Sequence, residues 1–231
     1  MIIIRDDKLI KRNGRIGQWM SLGALVVLGI AIYISVKYPE LFLYALTAMV
    51  VGFLMTQVGL SFSNRWGRSP RPDEQLDAAL KGLPSNTTLY HYTTPVPHLL
   101  VGPMGVWVLL PYHQRGRVAF ERNRWRLTGG GLMQGYMRIF GQEGIGRPEL
   151  DAAYQVESVT RLLSKDFEGG NEPPVKAALV FSSEDLEIVN NDSPIPAMPM
   201  KKLKDFMRQR TREATTPQGL IKQVKDALPG A

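Results

Sequence analysis

The chain has 231 residues, no cysteine, three histidines and a formal charge of +7, with a sequence pI near 9.7. The absence of cysteine excludes disulfides, thiolate zinc sites and thiol catalysis, and it agrees with a cytosolic domain. Residues 1–15 carry five basic and two acidic side chains, whereas residues 61–231 carry 22 and 18; so mild a balance over the larger part does not make the pI an argument for a nucleic-acid surface rather than for charge beside anionic lipid.

In chain order, a basic N-terminus (residues 1–15) precedes two apolar runs, Ile16 to Val36 and Leu41 to Phe62, neither containing Asp, Glu, Lys, Arg or His. Each has about the length that a helix rising ~1.5 Å per residue needs to cross a ~30 Å hydrocarbon layer. Nine Leu, Ile or Val lie between Leu22 and Val36, which favours insertion by roughly 3–5 kcal/mol. A cleaved signal peptide would carry a shorter apolar region of about 7–15 residues ending in a small-residue cleavage site, so two membrane spans are expected rather than a leader or a buried helical pair of a soluble protein.

Lys37, Tyr38, Pro39 and Glu40 separate the runs, and a proline there suits a tight turn between antiparallel helices. Arg5, Lys8, Lys11, Arg12 and Arg15 precede the hairpin and Arg65, Arg68 and Arg71 follow it, against one lysine in the turn. The positive-inside rule then predicts a two-pass protein of the cell (inner) membrane with both termini and the soluble domain cytoplasmic. Within the second span, Ala48, Gly52 and Thr56 recur every four residues and predict a small-residue packing face, and Gln57 calls for a hydrogen-bond partner inside protein.

A polar, Pro- and Gly-containing linker (residues 63–72) leads to a soluble domain over residues 73–231. A short helix is predicted from Glu74 to Leu80, stopped at Gly82. Extended segments follow at Thr87 to Tyr92, His98 to Val101, Val106 to Leu110, Arg117 to Arg122 and Arg124 to Leu127; VWVLL, apolar on both faces, reads as a central strand. Gly129 to Pro148 reads as a long Gly-rich loop. A helical stripe from Glu149 through Phe167, a strand Val175 to Phe181, a short strand Leu186 to Val189, and amphipathic helices Lys201 to Gln209 and Gln218 to Leu228 complete the pattern. Strands flanking a long helix, with helices at both ends, indicate a layered α/β or α+β domain.

The stretch HLLVGPMGVWVLL (His98 to Leu110), then Gly116, Trp125, the helix from Glu149 and ALVF at Ala178 to Phe181, resembles the nuclease-related domain family over roughly Asp73 to Gln209. The resemblance implies a restriction-endonuclease-like, PD-(D/E)xK fold: a mixed central sheet flanked by helices. An active member needs an Asp before the strand entering the site, then a Glu and a Lys two residues apart, to hold a divalent metal and position water. Here those positions fall on or next to Pro97, on Leu110 and on Tyr112, and a helix Gln of the family corresponds to Asp151 or Gln155. Apolar side chains cannot bind a hard cation, so no catalytic residue, metal or other cofactor is predicted.

Displaced carboxylates at Glu121, Glu143 or Asp151 are the alternative route to a metal site, although Glu121 lies among Arg117, Arg122 and Arg124, where surface charge pairing suffices. His91, His98 and His113 lack a close zinc spacing and read as polar strand-end residues. The glycines of the Gly-rich run do not follow a strand and open a helix, so they form no phosphate loop; its Met133, Tyr136, Met137, Ile139 and Phe140 fit burial in the same domain better than docking. Arg115, Arg117, Arg122, Arg124 and Arg126 surround Trp125 in a hairpin turning at Asn123, with Arg122, Arg124 and Arg126 alternating on one strand face. A charged, solvated edge strand is the first reading of this strip, contact with lipid or protein the second and nucleic acid the third. These observations predict a non-enzymatic, membrane-tethered interaction or scaffold module, an accessory subunit whose partners are the bilayer and a membrane or peripheral protein, with no small-molecule substrate; a tethered nucleic-acid binder or a nuclease with a migrated metal site are the alternatives.

Overall fold

A computed structural model describes residues 1–128, 144–167, 171–190, 192–214 and 216–229. The chain divides into two compact units, one formed by Asp6–Glu74 and the other by Met1–Arg5 together with the chain from Gln75 onward.

The first unit is a pair of helices, α1 (Asp7–Lys37) and α2 (Phe42–Phe62), joined by a 3-10 turn at Pro39–Leu41. Both are long and apolar enough to cross a membrane. Helix α1 starts nine residues before the apolar run because Asp6 caps it, accepting a hydrogen bond from the Leu9 amide at 2.8 Å. Residues 7–15 are therefore helix rather than a separate tail. The linker expected over residues 63–72 is also shorter: Ser63–Gly67 prolongs α2 as a wide, π-type turn, and Pro72 already opens the next helix.

The two helices meet along small residues spaced by seven. Gly17, Ala24 and Ala31 are the buried positions of α1 beyond Ile10, and Ala45, Gly52 and Gly59 those of α2. This corrects the expected every-fourth face, of which only Gly52 is buried while Ala48, Thr56 and Gln57 are half-buried. Two packed helices keep a seam of 3.5 residues per turn facing the partner, so contacts recur at the heptad. Thr56 instead turns its hydroxyl back onto its own helix, donating to the Gly52 carbonyl at 2.8 Å. Most other apolar side chains of the pair, among them Leu25, Val36, Leu43 and Phe53, are exposed.

The second unit is a mixed α/β domain. A six-stranded sheet runs in the order β1 (Ile2–Arg5), β2 (Thr88–His91), β3 (His98–Gly102), β4 (Gly105–Tyr112), β7 (Val175–Phe181), β9 (Ala197–Pro199). A three-stranded sheet pairs β6 (Arg124–Thr128) with β5 (Gly116–Glu121) and β5 with β8 (Leu186–Asn190). Strands β2, β3 and β4 are antiparallel neighbours, whereas β4–β7 and β7–β9 are parallel. The β3–β4 turn is tight, with Gly102 opposite Gly105 around Pro103 and Met104, and Gly105 adopts a φ of 97° that only glycine takes without strain.

Alternate residues of β4 feed two cores. Val106, Val108 and Leu110 join Val159 and Leu163 of α4 (Pro148–Leu163) and Ile221 and Val224 of α6 (Gln218–Asp226). Trp107 and Leu109 point the other way, to Leu76 and Leu80 of α3 (Pro72–Leu80) and Leu203 and Met207 of α5 (Met200–Glu213). The run VWVLL is thus buried on both faces, as its composition requires.

Strands β1 and β9 were not anticipated. β1 pairs in parallel with β2, Ile2 opposite Thr88 through Arg5 opposite His91, so the first residues of the chain complete the sheet of the domain that follows the helices. Their β-branched run is only three residues long, too short to mark a strand against a basic tail. The long Gly-rich run falls largely outside the described residues, and with it Glu143 and the apolar residues 133, 136, 137, 139 and 140.

Gly59→Ala tests the helical seam. An added carbon there would lie 2.9 Å from the Ser21 amide nitrogen, a backbone atom that cannot swing aside. The substitution should destabilise the pair by about 1–3 kcal/mol and lower the melting temperature measured in detergent. Gly29→Ala, whose new carbon meets nothing within 4 Å, should not lower that temperature.

Candidate functional site

Three places carry polar chemistry in the second unit. At the end of β4 lie the positions where the family resemblance puts its metal site. Leu110 is only 4 % exposed and belongs to the core between the sheet and α4. Pro97 precedes β3, and its carbonyl accepts the Tyr92 amide at 2.9 Å. Tyr112 donates its hydroxyl to Asp151 of α4 at 3.3 Å. Burial first, and the adjacent Asp151 carboxylate second, hold the Tyr112 phenol well above its ordinary range, so it is a hydrogen-bond donor at any physiological pH. The ring also packs on Phe181 of β7, with centroids 5.9 Å apart. Of the displaced carboxylates, Glu121 ends β5 opposite Arg124, and Asp151 is engaged by Tyr112. Among the described residues no group of three or more His, Asp or Glu side chains comes together with metal-binding geometry.

The second place is the β5–β6 hairpin. Arg122 and Asn123 form its two-residue turn, with φ of 50° and 60°; both positive values define the mirror-image turn that matches strand twist. This corrects the expected three-arginine strip, because Arg122 sits in the turn and only Arg124 and Arg126 share the exposed face of β6. Arg117 on β5 pairs with Glu187 of β8 at 2.8 Å. Arg115 is exposed just before β5. Trp125 points inward, packing on Phe120 and Phe181. Trp125 is therefore a core residue that anchors the hairpin, and among the described residues no aromatic platform accompanies the arginines.

The third place joins residues that sequence spacing keeps far apart. His91 and His98 face each other across β2 and β3 and are buried. Their Nδ1 atoms lie 2.8 Å apart, and His91 Nε2 lies 3.0 Å from Asp77 Oδ1 on α3. The other Asp77 oxygen receives the Arg5 guanidinium from β1. With neutral imidazoles, one tautomer set satisfies the row: His98 Nδ1–H donates to His91 Nδ1, and His91 Nε2–H donates to Asp77. The row locks β1, α3, β2 and β3 together. The histidines are polar strand-end residues as expected, His91 closing β2 and His98 opening β3, but these two are buried hydrogen-bonding groups, while His113, just after β4, is exposed. The opposition of His91 and His98 was hidden because it depends on the β2–β3 register.

Comparison of the chain with protein-family models, curated proteins and solved structures found no match.

A double-mutant cycle of Arg5→Met and Asp77→Asn, followed by thermal unfolding of the full chain, should give a coupling of about 1–3 kcal/mol, as for hydrogen bonds to charged groups. Simple additivity would show the pair to be idle. The exposed pair Arg124→Gln and Arg126→Gln should change stability by no more than about 0.5 kcal/mol each.

Proposed function

We propose that the chain is a membrane-anchored domain of restriction-endonuclease-like architecture that does not cleave nucleic acid and works as an interaction or scaffold module, an accessory subunit of a larger membrane assembly. The observation that carries this reading is Leu110. The position at which the resemblance calls for a metal-binding carboxylate holds an aliphatic side chain packed into the core with Val108, Leu163 and Leu179, where a hard cation would find no oxygen ligand. Tyr112 stands where the lysine would be and is kept neutral by burial and by Asp151. The mixed sheet with helices α4 and α6 on one face and α3 and α5 on the other is consistent with the implied architecture.

Connectivity supports the anchor. Strand β1 precedes α1, its partner β2 follows α2, and the two strands pair. A chain that crossed the bilayer once would leave them on opposite sides, whereas two crossings return it to the side from which it left. The basic side chains at both ends of the pair, from Lys8 to Arg15 and at Arg65 and Arg68, favour the cytoplasmic side. The exposed apolar flanks of α1 and α2 suit hydrocarbon better than water, which supports the anchor.

Cysteine placed at Lys37 or Glu40 should react with an impermeant thiol reagent outside intact cells, and cysteine at Ser69 should not; the natural chain supplies no competing thiol. Labelling at Ser69 alone would reverse the orientation. Calorimetry should detect no single stoichiometric site for Mg or Mn, and nuclease assays should detect no cleavage. Cleavage abolished by Asp151→Ala or Glu121→Ala would establish a migrated site and refute the scaffold reading, whereas a stoichiometric protein co-purifying from mild detergent is the outcome it expects.

A further inference from the structure

We infer that the N-terminal part of α1 carries a binding site for one anionic phospholipid of the leaflet beside it. Lys8, Lys11, Arg12 and Arg15 follow one another at the three- and four-residue spacing of a single helix face, and they line a shallow groove of about 600 Å³ whose floor continues onto Ile16 and Trp19. The four cations span roughly 10 Å of helix at ~1.5 Å per residue, and the apolar pair begins where they end. Trp19 is 70 % exposed and Ile16 is exposed too, although both adjoin charged residues. The face opposite is occupied: Gly17 lies against Phe62 of α2 and Ser63 just after it.

Charge complementarity identifies the occupant. Among the described residues none of the four cations is paired with a carboxylate, and the nearest acidic group in sequence with a defined role, Asp6, is spent on the helix cap. Four unpaired cations fit a phosphodiester, and long Lys and Arg stems lie readily along apolar surface while their heads stay polar. A nucleic acid, an acidic peptide or free phosphate would satisfy the cations but leave Ile16 and Trp19 in water. A glycerophospholipid satisfies both halves at once, its phosphate against Lys8 to Arg15 and its upper acyl carbons against Ile16 and Trp19, which is also where an indole prefers to sit in a bilayer. The site rests on the membrane reading above and adds to it a fixed position for one lipid.

The test uses the full chain in non-ionic detergent, titrated with phosphatidylglycerol or phosphatidylcholine in mixed micelles and read by native mass spectrometry of lipid adducts. Phosphatidylglycerol should bind roughly tenfold or more tightly than phosphatidylcholine, given the attraction of each basic side chain for anionic headgroups. The combined Lys8→Gln, Lys11→Gln, Arg12→Gln and Arg15→Gln variant should lose that preference with its circular dichroism unchanged. Arg12→Lys with Arg15→Lys, which keeps the charge, should retain it. Equal binding of both lipids by the natural chain, retention of the preference by the glutamine variant, or displacement of the lipid by inorganic phosphate would each overturn the site. Extraction of membranes with alkaline carbonate separates the two readings: release of the chain defeats the membrane anchor itself, whereas retention without lipid preference defeats this site alone.

Discussion

The parallel ladder between β1 and β2 is the contact on which the rest of the chain's organisation depends. It joins residues 2–5 to residues 88–91 across the whole of the helical pair. Closing so long a loop by a flexible chain costs conformational entropy that grows with its length. The helical pair reduces that cost by turning back on itself: Gly14 of α1 lies against Trp66 after α2, so both ends of the excursion are already close. The row from Arg5 through Asp77 and His91 to His98 then fixes the ladder with hydrogen bonds to a charged carboxylate, which are stronger than those between neutral groups.

Within the domain, one strand serves two cores. The alternation of side chains along β4 sends Val106, Val108 and Leu110 to one layer of helices and Trp107 and Leu109 to the other. Leu110 therefore does the work of a packing residue at the position where the resemblance expects a carboxylate. An oxygen ligand there would have to be buried among aliphatic neighbours, at a desolvation cost that only a bound cation could offset. The neighbouring Tyr112 keeps one polar contact, to Asp151, at the rim of that layer. Up to Leu110 the end of β4 continues the core, while exposed charge lies on the β5–β6 hairpin, where Arg124 and Arg126 face solvent and Trp125 holds the ribbon down.

The helical pair divides its surface by size and by charge. Glycine and alanine every seventh residue let the two backbones approach closely. The larger aliphatic and aromatic side chains face outward. Aromatic residues mark both ends, Trp19 and Trp66 at one and Tyr33, Tyr38 and Tyr44 near the turn, the distribution expected of side chains that prefer a bilayer interface. The groove of Lys8 to Trp19 lies where the basic and the apolar parts of α1 meet, which is why a single helix face there suits an amphipathic ligand.

The two apolar runs, the turn at Pro39, the central strand VWVLL, the helix from residue 148 and the terminal helices are all local patterns, legible because hydrophobic periodicity and run length are written into consecutive residues. That Leu110 would be a core residue was likewise legible, from its place in the apolar run VWVLL. What the sequence could not disclose depends on register and on contacts between distant segments. Ile2 to Arg5 is a strand only because β2 offers an open edge. Arg122 leaves the arginine strip because the hairpin spends it, with Asn123, in a two-residue turn. The small-residue seam has period seven rather than four because a partner helix, and not helix geometry alone, selects which glycines are covered. The histidines meet Asp77 and Arg5 only once four elements have been brought side by side, and no spacing within one segment carries that information.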